Sequence, residues 1–116
     1  MKTILVVDDE QGMTLGLEMI LSDAGFRVLK AATGEEALLI VKDFTPDLVL
    51  MDIMMPGLGG LETLKLLRIH PDYKNLPVIM MSGARPFAKQ ADYGWTEFVM
   101  KPFSGEQLLS VISKFL

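Results

Sequence analysis

Cysteine is missing from the chain, and histidine and tryptophan occur once each. No disulfide framework and no thiolate metal site can form without cysteine. Zinc, which favours sulfur and imidazole donors, is not expected. A cysteine-free composition fits a reducing, cytoplasmic setting. Basic excess is missing too: the formal net charge is −4. That argues against direct nucleic-acid binding, which calls for a basic face, and leaves protein partners open. No apolar run approaches the roughly 18–20 residues of a membrane helix. Lys2 alone is basic before an apolar run that ends at Val7, too short for a signal peptide. Internal repeats, low-complexity tracts and linkers are also lacking. The 116 residues are expected to form one domain, 1–116, with one core.

What is present is an alternation in a chain that is 50% hydrophobic and 22% charged. Short apolar runs occur at 3–7 (TILVV), 26–31 (FRVLKA), 47–51 (DLVLM), 76–81 (LPVIMM) and 97–100 (EFVM). The first, third and fourth are apolar on successive positions, as in strands covered by helices on both faces. The second carries Arg27 and Lys30 and the last is short, which places both at sheet edges. Helical periods fill the gaps. Met13, Leu17, Ile20, Leu21 and Ala24 share one face, with Gly25 as a stop. Thr33 and Glu36 read as a capping box ahead of Ala37, Leu38, Val41 and Phe44. Leu61, Leu64 and Leu67 form a third stripe, with Pro71 beyond its end. Ser104 and Gln107 form a second capping box before Leu108, Val111, Ile112 and Phe115. Between Pro86 and Tyr93 the helical pattern is weakest, so the fourth helix is expected to be short or irregular. Five βα repeats with short connections predict a doubly wound parallel α/β sheet.

Open α/β sheets bind ligands past the carboxyl ends of their strands. The residues that follow the apolar runs are Asp8 and Asp9, then Asp52, then Ser82 and Gly83, then Lys101 and Pro102. Any one of them has an ordinary explanation, since strand ends are polar. Three carboxylates, a hydroxyl and an ammonium at one edge are harder to dismiss. Clustered carboxylates either share a cation or shift their pKa values upward. Oxygen-only ligation suits Mg²⁺, with Mn²⁺ as a substitute, and such sites serve phosphate chemistry. Lys101 would attract a phosphoryl oxygen, Ser82 would donate to another, and Gly83 leaves room for the group to enter.

VVDDE at 6–10, MDIMMPGLGG at 51–60, PVIMMSG at 77–83 and KPF at 101–103, in this order, resemble the receiver domain of two-component response regulators. The resemblance extends over essentially the whole chain. It implies a flavodoxin-like sheet of order 2-1-3-4-5 with helices on both faces. It makes Asp52 the phosphoacceptor, attacking a phosphohistidine of a sensor histidine kinase or a histidine phosphotransfer protein. Asp9, Asp52 and the carbonyl of Met54 would bind Mg²⁺ directly, and Asp8 through water. Lys101 would neutralise charge on the transferred group. Ser82 and Phe98 would be the switch pair, and Lys101–Pro102 a cis peptide. Pro56 and Gly60 match the family's loop after the acceptor. A downstream protein or output domain, and a homodimer as one mode of assembly, belong to the same picture.

The stretch from Ser82 to Lys101 is shorter than is usual for such domains. The loss falls where Ala84, Arg85, Pro86 and Phe87 replace a longer acidic helix opening. Trp95 stands where a small residue is usual, and packing in the core is the expectation for it. Met54 and Ala84 border the place where water would attack the acyl phosphate; as apolar neighbours they are expected to make the phosphorylated form long-lived. His70 is expected in an exposed loop, Glu10 at a solvated helix start or beside the metal, and GLGG at 57–60 in a turn rather than a phosphate loop. The competing functions are an aspartate-nucleophile phosphohydrolase and a receiver-like binding module that is not phosphorylated. Against the first, Met54 replaces the second acid such enzymes carry and no cap is present. Against the second, the set Asp8, Asp9, Asp52, Ser82 and Lys101 is intact. A flavin site would need a phosphate-cradling loop after the first strand, which the sequence lacks.

Overall fold

The computed structural model describes residues 1–85 and 88–116. The expectation placed on Pro86 and Phe87 therefore lies outside the described residues. Five parallel strands form one sheet in the order β2-β1-β3-β4-β5. They are β1 Thr3–Val7, β2 Arg27–Ala31, β3 Leu48–Asp52, β4 Val78–Ser82 and β5 Glu97–Met100. The helices are α1 Gln11–Asp23, α2 Gly34–Phe44, α3 Gly60–Ile69, α4 Gln90–Tyr93 and α5 Gly105–Ile112, with a 3-10 turn at Pro71–Tyr73 after α3.

Alternation along the strands divides the core into two layers. Leu5, Val7, Val49, Met51, Val78 and Met80 pack with Ala37 and Val41 of α2, with Leu61, Leu64 and Leu67 of α3, and with Trp95. Ile4, Val6, Leu48, Leu50, Ile79 and Met81 pack with Leu17 and Leu21 of α1 and with Leu108 and Ile112 of α5. Every residue of β3 and β4 is buried. That explains the uninterrupted apolar runs: a strand covered on both faces has no solvent side to alternate toward. On β2, Arg27 and Lys30 are exposed at the sheet margin, as their charge required.

Some expectations fail at the helix ends. Phe44, expected on the buried face of α2, is 57% exposed, because α2 ends there and the chain turns through Thr45 in a left-handed conformation. Ala24 is exposed rather than packed; it is the C-cap of α1, beyond the last turn that faces the sheet, and Gly25 follows at φ 95°. The first capping box is only half made. Thr33 accepts from the Glu36 amide at 3.1 Å, but the Glu36 carboxylate accepts from the amide of Ala32, one residue too early. At Ser104 and Gln107 both arms close, at 3.1 and 2.8 Å. Strands β3 and β4 each run one residue further than their apolar runs, because Asp52 and Ser82 still pair, with Met81 and Met100 respectively. Among the described residues no helix is long and apolar enough to cross a membrane.

Candidate functional site

Parallel strands end at one edge, so Asp8, Asp9, Asp52, Ser82 and Lys101 arrive together although they are distant in sequence. Asp8 and Asp9 follow β1, Asp52 and Ser82 are the last residues of β3 and β4, and Lys101 follows β5. One oxygen from each of the carboxylates Asp8, Asp9 and Asp52 lies within 4.8 Å of the other two. Asp8 and Asp52 are buried, at 2% and 7% exposure, while Asp9 is exposed. The Lys101 ammonium lies 3.0 Å from Asp8 Oδ2 and 3.5 Å from Asp52 Oδ1. Its backbone amide donates to the carbonyl of Ser82 at 2.7 Å, which sets the height of the lysine above the sheet edge.

Burial and the neighbouring Asp8 charge push the Asp52 carboxyl above its ordinary pKa, with partial relief from Lys101 and a backbone hydrogen bond from Met54. Burial works against the charged form of Lys101, but the hydrogen bond to Asp8 and the charges of Asp52 and Asp8 outweigh it. The lysine is therefore held above its ordinary value. Three carboxylates against one ammonium leave surplus negative charge in a confined place. An oxygen-only donor set with this surplus fits a hard divalent cation.

The loop after β3 is fixed from below. The amide of Ile53 donates to the carbonyl of Met81 and the amide of Gly60 to the carbonyl of Ile53, both at 3.0 Å. A Cβ at Gly60 would run into the Asp52 carbonyl, so only glycine lets α3 start this close to Asp52. Met54 is 74% exposed beside Asp52, and Ala84 is exposed after β4. Ser82 is buried and its hydroxyl accepts from the amide of Ala84 at 3.2 Å. Phe98 is half-buried with its ring 6.2 Å from that of Trp95. Trp95 is 8% exposed and belongs to the core, as its size required. The Lys101–Pro102 peptide is cis.

Glu10 contributes its backbone rather than its carboxylate. Its amide donates to Asp8 Oδ1 at 3.0 Å, and the residue is the N-cap of α1. Lys101 pairs with Asp8, a contact the sequence does not predict; the pattern places the lysine only against a phosphoryl oxygen. No spacing signal predicts it, since the two residues are 93 positions apart. His70 is exposed and caps the 3-10 turn, its ring accepting from the amide of Asp72 at 3.2 Å. It stands in the connection after α3, outside the acidic cluster.

The pattern of the response regulator receiver domain matches residues 4–113, and the chain belongs to that family. Receiver domains are signalling switches of two-component systems. Protein PilG of Pseudomonas aeruginosa is 36% identical over 112 residues, which cover 94% of this chain and 83% of that protein. The chemotaxis protein CheY4 of Vibrio cholerae superposes with a TM-score of 0.94 at 32% identity, covering 100% of this chain and 99% of the other. The response regulator TrrA of Thermotoga maritima, solved in complex with Mg²⁺–BeF, superposes with a TM-score of 0.91 at 33% identity over 100% of both chains. The chain spans about half the length of the transcriptional regulators it matches, such as 48% and 51%. It spans 17% of a Vibrio cholerae sensor kinase/phosphatase.

Proposed function

We propose that residues 1–116 form one receiver domain that works as a Mg²⁺-dependent phosphoacceptor switch in histidine-to-aspartate signalling. Asp52 is the acceptor: one of its carboxylate oxygens attacks the phosphorus of a phosphohistidine on a sensor kinase or phosphotransfer protein. A P–O bond forms, the P–N bond breaks, and the imidazole leaves with the electron pair. The observation that carries this reading is the convergence of Asp8, Asp9 and Asp52 within 4.8 Å, with Lys101 bridging Asp8 and Asp52.

Asp8, Asp9, Asp52 and the carbonyl of Met54 are the residues that would hold Mg²⁺, which when bound neutralises the surplus carboxylate charge and the oxygens of the incoming group. The Mg²⁺–BeF complex of the similar TrrA supports that choice of ion. Lys101, already near both buried carboxylates, places its ammonium against the same oxygens. Ser82 is the hydroxyl available to hold the phosphoryl group once the Ala84 amide is given up. Phe98 is the aromatic that moves with it, so the charge added at Asp52 biases a two-state element. The working place is the cytoplasm. The partners are a histidine kinase or phosphotransfer protein upstream and a protein or output domain downstream, with a homodimer as one mode of assembly.

Acetyl phosphate with Mg²⁺, read by intact mass, tests the chemistry. One phosphoryl adduct per chain is expected, and Asp52→Asn loses it. Absence of any adduct overturns the reading. Repeated turnover of a phosphate ester would instead make the protein a hydrolase.

A further inference from the structure

Arg68 stands in the last turn of α3 and is half-buried, yet no carboxylate pairs with it among the described residues. Its guanidinium serves two backbone carbonyls instead. Nε donates to the carbonyl of Gly94 at 2.9 Å and Nη1 to the carbonyl of Tyr73 at 2.7 Å. Gly94 is the C-cap of α4 at φ 82°, and Tyr73 closes the 3-10 turn, so both carbonyls lie at the ends of short helical turns. The fit is mutual, because a Cβ at Gly94 would meet Arg68 Cγ and Nε at 3.4 Å. Burial lowers the pKa of Arg68, and its two donated bonds go to carbonyls rather than to a carboxylate.

What Arg68 holds cannot hold itself. A helix of four residues, Gln90–Tyr93, has far too few turns to be stable alone. Side chains secure it: Arg68 on Gly94, Gln90 Nε2 on the carbonyl of Trp95 at 2.7 Å, and the Lys65 ammonium 5.6 Å from the centroid of the Tyr93 ring. Lys65 and Arg68 lie on α3. At its other end the same helix begins with Gly60 against the backbone of Asp52. One rigid element of ten residues therefore spans the distance from the acceptor's own carbonyl to the carbonyl just before Trp95.

We propose that α3 and Arg68 form a second coupling arm. A change in the loop after Asp52 moves α3, and Arg68 carries that movement to α4, Trp95 and the start of β5, apart from any movement of Ser82 and Phe98. Arg68 is a positioning residue, acting through Gly94 and Trp95. The inference rests on Asp52 being the acceptor.

The single tryptophan makes the arm measurable. The wild type and the Arg68→Gln and Arg68→Lys variants are treated with acetyl phosphate and Mg²⁺. Phosphoryl uptake is read by intact mass, and Trp95 emission is read before and after. Circular dichroism and thermal unfolding identify any variant that fails to fold. The expected result is a full mass gain in all three proteins, with the emission change of Arg68→Gln cut roughly twofold or more. Arg68→Lys, which keeps the charge but cannot bridge two carbonyls, falls between. Emission changes equal to the wild type in both variants overturn the coupling arm alone, as does a phosphorylated wild type whose emission does not change. A wild type without mass gain overturns the acceptor reading, and the arm with it. If Arg68→Gln does not fold, Arg68→Lys decides: a wild-type emission change in it overturns the proposal.

Discussion

The middle of the sheet and its β5 flank are built by opposite means. Strands β3 and β4 are buried at every position and paired on both sides. The flank consists of an edge strand of four residues, only one of them buried, and a helix of four residues held by side-chain bonds. The first region is rigid through burial and backbone ladders. The second depends on a few replaceable polar contacts. The proposed acceptor chemistry needs carboxylates held in place, and the proposed switch needs a part that is cheap to move. Asp52 ends β3 and Asp8 and Asp9 follow the neighbouring β1, whereas Phe98 and Trp95 stand on or beside the flank.

This contrast can be broken most severely in the middle. Leu50 is fully buried against the α1 and α5 side chains, so Leu50→Ala should cost about 2–5 kcal/mol in urea unfolding. A loss under about 1 kcal/mol would mean that the middle is softer than its burial implies. Next is Gly60→Val at the junction of the loop after Asp52 and α3. Crowding against Asp52 should cost about 1–3 kcal/mol and slow phosphoryl uptake, read by mass. Met54→Asn changes an exposed residue beside the proposed acceptor Asp52 without touching the core. It should speed loss of the phosphoryl group by about tenfold, worth ~1.4 kcal/mol in the barrier; an unchanged rate removes the link between apolar neighbours and a long-lived phosphorylated form.

Smaller again is the effect of charge at Asp52. Its folded-state pKa is raised, so the folded protein keeps a proton that the unfolded chain gives up. Stability from this group is full below the ordinary aspartate value and is lost as pH rises through the raised one. Without divalent cations, Asp52→Asn should therefore raise the midpoint of thermal unfolding at neutral pH and flatten its pH dependence in that window. A lower midpoint would mean that Lys101 already compensates both buried carboxylates. The smallest effect is expected at the surface: Phe44→Ser should stay within about 0.5 kcal/mol, since Phe44 is mostly exposed.

The comparison also separates what could be read along the chain from what could not. Uninterrupted apolar runs announced β1, β3 and β4, because burial on both faces leaves a local mark. Charges at Arg27 and Lys30 announced an edge, and spacing alone located the stripe of Leu61, Leu64 and Leu67. Helix ends were less legible. Phe44 and Ala24 continue an apolar period past the point where their helices leave the sheet, and a period carries no information about where contact stops. Thr33 and Glu36 have the right spacing for a box, yet the carboxylate finds the amide of Ala32 instead.

By itself the sequence determined the βα alternation, the parallel sheet and the set of groups at its carboxyl edge, because hydrophobic period and the succession of elements along the chain are local properties that topology then converts into proximity. Only the tertiary structure decided how those groups share their charge, with Lys101 against both Asp8 and Asp52, and that Arg68 ties α3 to the carbonyl of Gly94. Such contacts join residues far apart in the chain through side chains with several rotamers, and which partner each one takes is settled by the burial and geometry of the assembled fold.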